Sequence, residues 1–119
     1  MKTTQLSPNL FVGAQIGPAD LEHLAAAGFT DVVCNRPDGE HPEGPASRQL
    51  AASAAELRLA FHYLPIPPNA PIEEQALSLA RLTSRDGVKV FAYCRSGARS
   101  AKAWNHAQAK QVGRERPMP

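Results

Sequence analysis

The segment Cys94-Arg95-Ser96-Gly97-Ala98-Arg99-Ser100 gathers a thiol, a glycine three positions on, a guanidinium five positions on and then a hydroxyl. An unperturbed thiol, with a pKa near 8.5, is only about 3% ionised at pH 7, whereas a pKa near 6 gives about 90% thiolate. Useful sulfur chemistry therefore needs surroundings that favour the anion. The apolar run Val88 to Tyr93 precedes this segment as a strand, and a helical pattern from about Ala98 to Gln111 follows it. A helix start supplies unpaired N–H groups and a positive dipole end. Gly97 lets the loop turn its amides inward, and Arg99, with Arg95, adds forked donors suited to oxyanions. The segment reads as an anion cradle with a nucleophilic sulfur at its base. Cys94 and Arg99 are the expected catalytic residues, and Arg95, Ser96, Gly97, Ala98 and Ser100 the expected substrate-binding loop.

The rest of the chain must position that loop. Asn9 to Gln15 is a strand candidate, followed by a helix that opens at Gly17-Pro18, has Asp20 and Glu22 near its start, and ends at Gly28. Thr30 to Cys34 is a β-branched apolar run and a buried strand. Ala46 to Leu59 and Ile72 to Arg85 carry helical spacing, with Phe61 to Ile66 between them as a strand. Strands alternating with helices predict an α/β fold: a three-layer, mostly parallel sheet of four to five strands flanked by helices. In such a sheet the loops after the strands emerge on one edge, where ligands bind. The segments NRPDGE (Asn35–Glu40), PPNAP (Pro67–Pro71) and CRSGAR (Cys94–Arg99) are thereby brought to one rim.

Composition narrows the class. The chain has 119 residues, 43% of them hydrophobic, with 13 Lys+Arg against 11 Asp+Glu for a formal charge of +2. That length suits one domain, expected over residues 1–112, with 113–119 an irregular tail because Pro117 and Pro119 oppose a helix. The charge is too small and too evenly spread to make nucleic acid the partner. No stretch approaches the ~20 apolar residues of a membrane span, and the start lacks a signal-peptide core. With two cysteines in all, the expectation is a cytoplasmic protein whose thiols are chemical rather than bridged. The four histidines show no metal spacing, and neither a metal nor an organic cofactor is expected.

The Cys94 loop is similar to two families of cysteine enzymes. Protein tyrosine and dual-specificity phosphatases carry Cys-x5-Arg after a His, whereas rhodanese-like sulfurtransferases have a loop one residue shorter. The spacing here is Cys94-x4-Arg99 and the preceding residue is Tyr93, which gives the sulfurtransferase loop length. The rhodanese opening segment is absent. Instead GFTDVV (Gly28–Val33), NRPDGE, YLPIP (Tyr63–Pro67) and YCRSGARSAKAW (Tyr93–Trp104) resemble the phosphatase-like domain found fused to β-lactamase-fold hydrolases, over about Leu6 to Ala107. The resemblance implies a dual-specificity-phosphatase-like fold and a cysteine nucleophile. It also implies a place alongside persulfide dioxygenase-like modules, which makes a separate enzyme of that kind a candidate partner.

The residues bear on the reaction. Phosphate-ester cleavage usually draws on an Asp to protonate the leaving alkoxide. The PPNAP stretch offers Asn69 in that place, whereas sulfite or a thiolate leaves without a proton. The favoured expectation is therefore a rhodanese-type sulfurtransferase with a Cys94 persulfide intermediate and thiosulfate or a persulfide as donor. The alternative is a phosphatase-like hydrolase acting on a phosphate ester through a Cys94 phosphoenzyme. A second alternative is a non-catalytic anion-binding or sulfur-relay module. Arg36 and Asp38 share the rim as candidate substrate contacts, though each also has a structural reading: Asp38-Gly39 as a turn, and Asp38 or Glu40 as the holder of a loop arginine. Cys34 reads mainly as a core thiol, with a second reading as a resolving thiol for Cys94.

Overall fold

The computed structural model describes residues 1–40, 42 and 44–115. Its five strands are β1 (Thr3–Ser7), β2 (Leu10–Gly13), β3 (Asp31–Cys34), β4 (Ala60–Tyr63) and β5 (Val90–Tyr93). The helices are α1 (Pro18–Ala26), α2 (Ser47–Glu56), α3 (Glu73–Thr83) and α4 (Ala98–Glu115). The strands form one sheet in the order β1-β2-β5-β3-β4. Strand β1 is antiparallel to β2, and every other pairing is parallel.

Connection handedness explains which helix covers which face. The chain moves from β2 to β3 to β4 in one direction across the sheet, so right-handed crossovers put α1 and α2 on the same side. It then reverses from β4 to β5, which puts α3 on the other side. The core divides accordingly. Leu21, Leu24, Leu50 and Ala54 of α1 and α2 pack with Val32, Cys34, Phe91 and Tyr93 on one face. Leu79 and Leu82 of α3 and Ala103 of α4 pack with Leu10, Val12, Val33, Val90 and Ala92 on the other, with half-buried Trp104 against them. Strand β5 is covered on both faces and paired on both edges, which is why VFAY is apolar throughout.

Local chemistry sets the helix ends. The Gly17 N–H donates to Asp20 Oδ2 at 2.9 Å at the start of α1. Helix α2 stops with Arg58 at φ 61°, and the Leu59 N–H reaches back to the Ala54 carbonyl at 2.9 Å. This is a left-handed cap built on a residue that is not glycine, at a cost of roughly 1 kcal/mol.

Two elements depart from expectation. Strand β1 was not expected: its sequence TTQLS is polar and largely exposed because it is the sheet's outer edge. Helix α4 runs to Glu115, so 113–115 are helical where an irregular tail was expected, while 116–119 lie outside the described residues. Among the described residues no helix is long and apolar enough to cross a membrane.

Candidate active site

Strand β5 occupies the middle of the sheet, so the loop leaving its C-terminal end emerges between β2 and β3. Cys94 continues that strand and is wholly buried at the base of the loop. The loop turns at Gly97, with φ 95°, and closes on the end of β2. A Cβ on Gly97 would stand 3.2 Å from the Gly13 carbonyl oxygen. Gly13 is itself constrained: a Cβ there would lie 2.8 Å from the Lys2 carbonyl oxygen and 2.9 Å from the Phe91 ring. The Cys94 N–H donates to the same Gly13 carbonyl at 3.3 Å. Two backbones meet with no side chain between them, and this contact fixes the cradle's height above the sheet.

The cradle favours the thiolate form of Cys94. Burial alone would raise the Cys94 pKa, but the N–H groups of Ser100, Ser96, Arg99 and Gly97 converge on the sulfur and together bring it below the ordinary thiol value. The Gly97 N–H donates to Sγ at 3.0 Å. These are the unpaired amides of the α4 start, aimed at an anion.

Arg99 is held by Glu40. Its Nη1 donates to Glu40 Oε2 at 2.8 Å and its Nη2 to Oε1 at 2.7 Å, a fork-to-fork pair. Nη1 also donates to the Ile66 carbonyl at 2.8 Å, and the guanidinium stands against the Cys94 sulfur. The Glu40 carboxylate raises the Arg99 pKa further, and Arg99 in turn lowers that of Glu40. Arg99 thus joins the loops after β3 and β4 to the cysteine loop.

Asn35 is a second tie that the sequence does not mark. Its N–H donates to the Tyr93 carbonyl at 2.8 Å, its Nδ2 to the Leu64 carbonyl at 2.8 Å, and its Oδ1 accepts from Ser100 Oγ at 2.8 Å. Ser100 therefore contributes its amide to the sulfur and its hydroxyl to the scaffold. Arg95, Ser96 and Ala98 are exposed on the rim, and Ser96 Oγ accepts from the Ala98 N–H at 3.3 Å.

Of the remaining candidates, Asp38 and Arg36 are held by neighbouring groups in place of a substrate, and Cys34 is the core thiol it mainly read as. Asp38 accepts from the Ser47 N–H at 2.8 Å and from Ser47 Oγ at 2.7 Å, so its carboxylate caps α2 instead of facing a substrate. Arg36 is 8% exposed; its Nη1 donates to Gln15 Oε1 at 3.1 Å and its Nη2 to the Glu40 carbonyl at 3.2 Å. Asn69 is an exposed turn residue at φ 63°. Cys34 pairs in register with Tyr93, not Cys94, and therefore points into the α1–α2 core, with its Sγ–H donating to the Arg36 carbonyl at 3.2 Å. Burial pushes the Cys34 thiol up. A direct Cys34–Cys94 bridge would need side chains on opposite faces of the sheet to meet. Among the described residues, no three His, Cys, Asp or Glu side chains form a metal-binding group.

The model of the family described as "Beta-lactamase hydrolase-like protein, phosphatase-like domain" matches residues 3–111. The chain belongs to this family. A beta-lactamase hydrolase-like protein of Agrobacterium fabrum is 27% identical over 100 residues, covering 84% of this chain and 23% of that protein. The phosphatase-like domain thus spans under a quarter of the length of such relatives. Among solved structures, a candidate phosphatase from Neisseria meningitidis superposes with a TM-score of 0.79 at 25% identity, over 95% of this chain and 78% of the other. A kinase associated phosphatase carrying a serine in place of its catalytic-site cysteine gives 0.61 at 19% identity, over 74% and 57%. The phosphatase-like domain described here has the cysteine-phosphatase fold, with its cysteine loop one residue shorter than the phosphatase spacing.

Proposed function

We propose that this domain is a cysteine-dependent, phosphatase-like hydrolase of small anionic phosphate esters with acidic leaving groups. The observation that carries the reading is the convergence of α4-start amides on the Cys94 sulfur, with the Gly97 N–H at 3.0 Å. The thiolate attacks phosphorus, the ester P–O bond breaks, and a cysteinyl-phosphate forms. Water then cleaves the S–P bond, releasing inorganic phosphate and restoring the thiolate. The cradle amides and Arg99 offset the charge on the transferring group. The family match and the fold likeness to cysteine phosphatases support this reading. Its restriction to acidic leaving groups follows from the absence of a free carboxylic acid at the expected positions. Asp38 is committed to Ser47, and the PPNAP turn carries Asn69.

That same lack favours a second reading, sulfur transfer. The thiolate attacks the outer sulfur of thiosulfate, the S–S bond breaks, sulfite departs unprotonated, and the Cys94 persulfide passes its sulfur to an acceptor thiol or to cyanide. The Cys94-x4-Arg99 loop length supports it. A separate persulfide dioxygenase-like partner belongs to this reading alone.

One purified sample assayed for aryl phosphate hydrolysis and for thiosulfate:cyanide transfer, with Cys94→Ser as the blank, decides between them. Phosphate release that is lost in Cys94→Ser supports the hydrolase, and thiocyanate formation without phosphate release supports sulfur transfer. Tight anion binding with neither turnover overturns both in favour of a binding module.

A further inference from the structure

Asn35 follows Cys34 at the end of β3, is wholly buried, and has each of its polar groups engaged. Its N–H donates to the Tyr93 carbonyl at 2.8 Å, and its carbonyl accepts from the Ile66 N–H at 2.8 Å. Its Nδ2 donates to the Leu64 carbonyl at 2.8 Å, and its Oδ1 meets Ser100 Oγ at 2.8 Å. A backbone carbonyl only accepts, so Nδ2 must point at Leu64 and Oδ1 at Ser100. An amide oxygen likewise only accepts, which makes the Ser100 hydroxyl the donor. A hydroxyl has one proton to give, and here it goes to Asn35. None is left for the Cys94 sulfur.

What Ser100 gives the sulfur is its backbone. The first hydrogen bond within α4 runs from the Ala101 N–H to the Gly97 carbonyl at 3.0 Å, so the Ser100 amide precedes the helical ladder and is free for another acceptor. Burial raises the Cys94 thiol, and the Ser100 N–H does more than any other amide to bring it back below the ordinary value. That amide keeps its aim only while the first turn of α4 stays in place. The Ser100 hydroxyl links this turn to Asn35, which is itself bonded to the end of β5 and to the stretch after β4. The same stretch seats the other half of the site, since the Ile66 carbonyl accepts from Arg99 Nη1 at 2.8 Å.

We propose that Asn35 is a positioning residue for the chemistry of Cys94: without touching the anion, it pins Ser100 so that the Ser100 N–H stays aimed at the sulfur. The proposal rests on the reading of Cys94 as a reactive thiolate, and it holds for phosphoryl and for sulfur transfer alike. It differs from a direct role of the Ser100 hydroxyl at the sulfur. In that case loss of Asn35 would release the hydroxyl to donate to Cys94 and would favour the thiolate further.

The test is the pH profile of Cys94 alkylation by iodoacetamide in the full chain, read by mass spectrometry of the Cys94 peptide. Asn35→Ala and Ser100→Ala should each raise the midpoint by about one pH unit, which is about a tenfold loss of rate below both midpoints. Ser100→Thr keeps a hydroxyl and should restore the wild-type midpoint. The double variant Asn35→Ala/Ser100→Ala should shift it no further than either change alone, because the two break one link. A midpoint that Asn35→Ala leaves in place or lowers, in a protein with native circular dichroism, would overturn the proposal, as would two shifts that add. If Asn35→Ala does not fold, Ser100→Ala decides: a midpoint equal to that of Ser100→Thr overturns the proposal, and a raised one supports it. A wild-type midpoint at the ordinary value of about 8.5 would overturn it together with the thiolate reading. A low midpoint that no variant moves would strike the positioning role alone.

Discussion

Cys34 and Cys94 end neighbouring parallel strands, are both buried and stand within reach of arginines, yet their chemistry diverges. Burial raises the Cys34 thiol, whereas Cys94 is brought below the usual range. The cause is a single step in register. Cys34 pairs with Tyr93 and so turns into the α1–α2 core, where one carbonyl receives its proton. Cys94 lies one residue further along its strand and meets four amides at the start of α4. Arg36 beside Cys34 lowers that thiol less than burial raises it. What activates a sulfur at this sheet edge is a converging set of N–H groups, and a neighbouring positive charge alone does not suffice.

The largest test of that contrast is removal of each sulfur. Cys94→Ser should lower turnover by roughly a thousandfold or more, since a serine hydroxyl is a far weaker acid than a thiol and stays protonated where the thiol ionises. Cys34→Ala should leave kcat within about twofold and cost about 1 kcal/mol of stability as a small core truncation. Steady-state rates and a denaturation curve measure both, and equal losses of activity would erase the distinction.

Shortening the list of converging amides comes next. Gly97→Ala places a side chain at φ 95° and 3.2 Å from the Gly13 carbonyl, so the loop must shift. A displacement near 1 Å costs about a hundredfold in rate, and the Cys94 pKa should rise towards that of Cys34. Thiol titration by ultraviolet absorbance reads the second effect, and an unchanged pKa would separate the loop's shape from the sulfur's acidity.

Alkylation by iodoacetamide compares the two thiols directly. Only the thiolate reacts, so an ordinary thiol of pKa near 8.5 gains about 50-fold in rate from pH 6.5 to 8.5. Cys94, already more ionised at the lower pH, should gain less, and Cys34 should remain unmodified in the folded protein. Mass spectrometry of the labelled peptides gives both answers.

The smallest effect belongs to Glu40→Gln, which keeps a hydrogen bond to Arg99 but removes the charge. The expected outcome is an increase in KM of about tenfold with a smaller change in kcat, as befits a residue that positions an arginine. A change in kcat alone would place Glu40 in the chemistry itself.

The cysteine loop and the alternation of strands and helices were legible because they rest on local patterns: VFAY before the thiol, Gly97 within the turn and helical spacing after it. The pairing of Glu40 with Arg99 was among the readings of NRPDGE, although Asp38 in the same segment caps α2 instead. What stayed hidden depends on strand pairing. Whether Cys34 faces Cys94 or turns away is decided by register with β5. The need for Gly13 comes from Lys2, just before β1, and Phe91 on β5, far apart in sequence. Asn35 gives no local sign that it will gather a carbonyl from the end of β5, another from the loop after β4 and a serine from α4. Strand β1 escaped because an outer strand that buries little lacks the apolar alternation by which strands are found.

The central position of β5 also has a bearing on how the protein comes apart. A strand hydrogen-bonded on both edges and packed on both faces is among the last to exchange its amide protons, because only global opening frees it. The outer strands and the α1–α2 layer can therefore fray or absorb substitutions while the frame beneath the reactive sulfur persists. Loss of sulfur reactivity under rising denaturant would then register the collapse of the whole domain, not the loosening of its periphery.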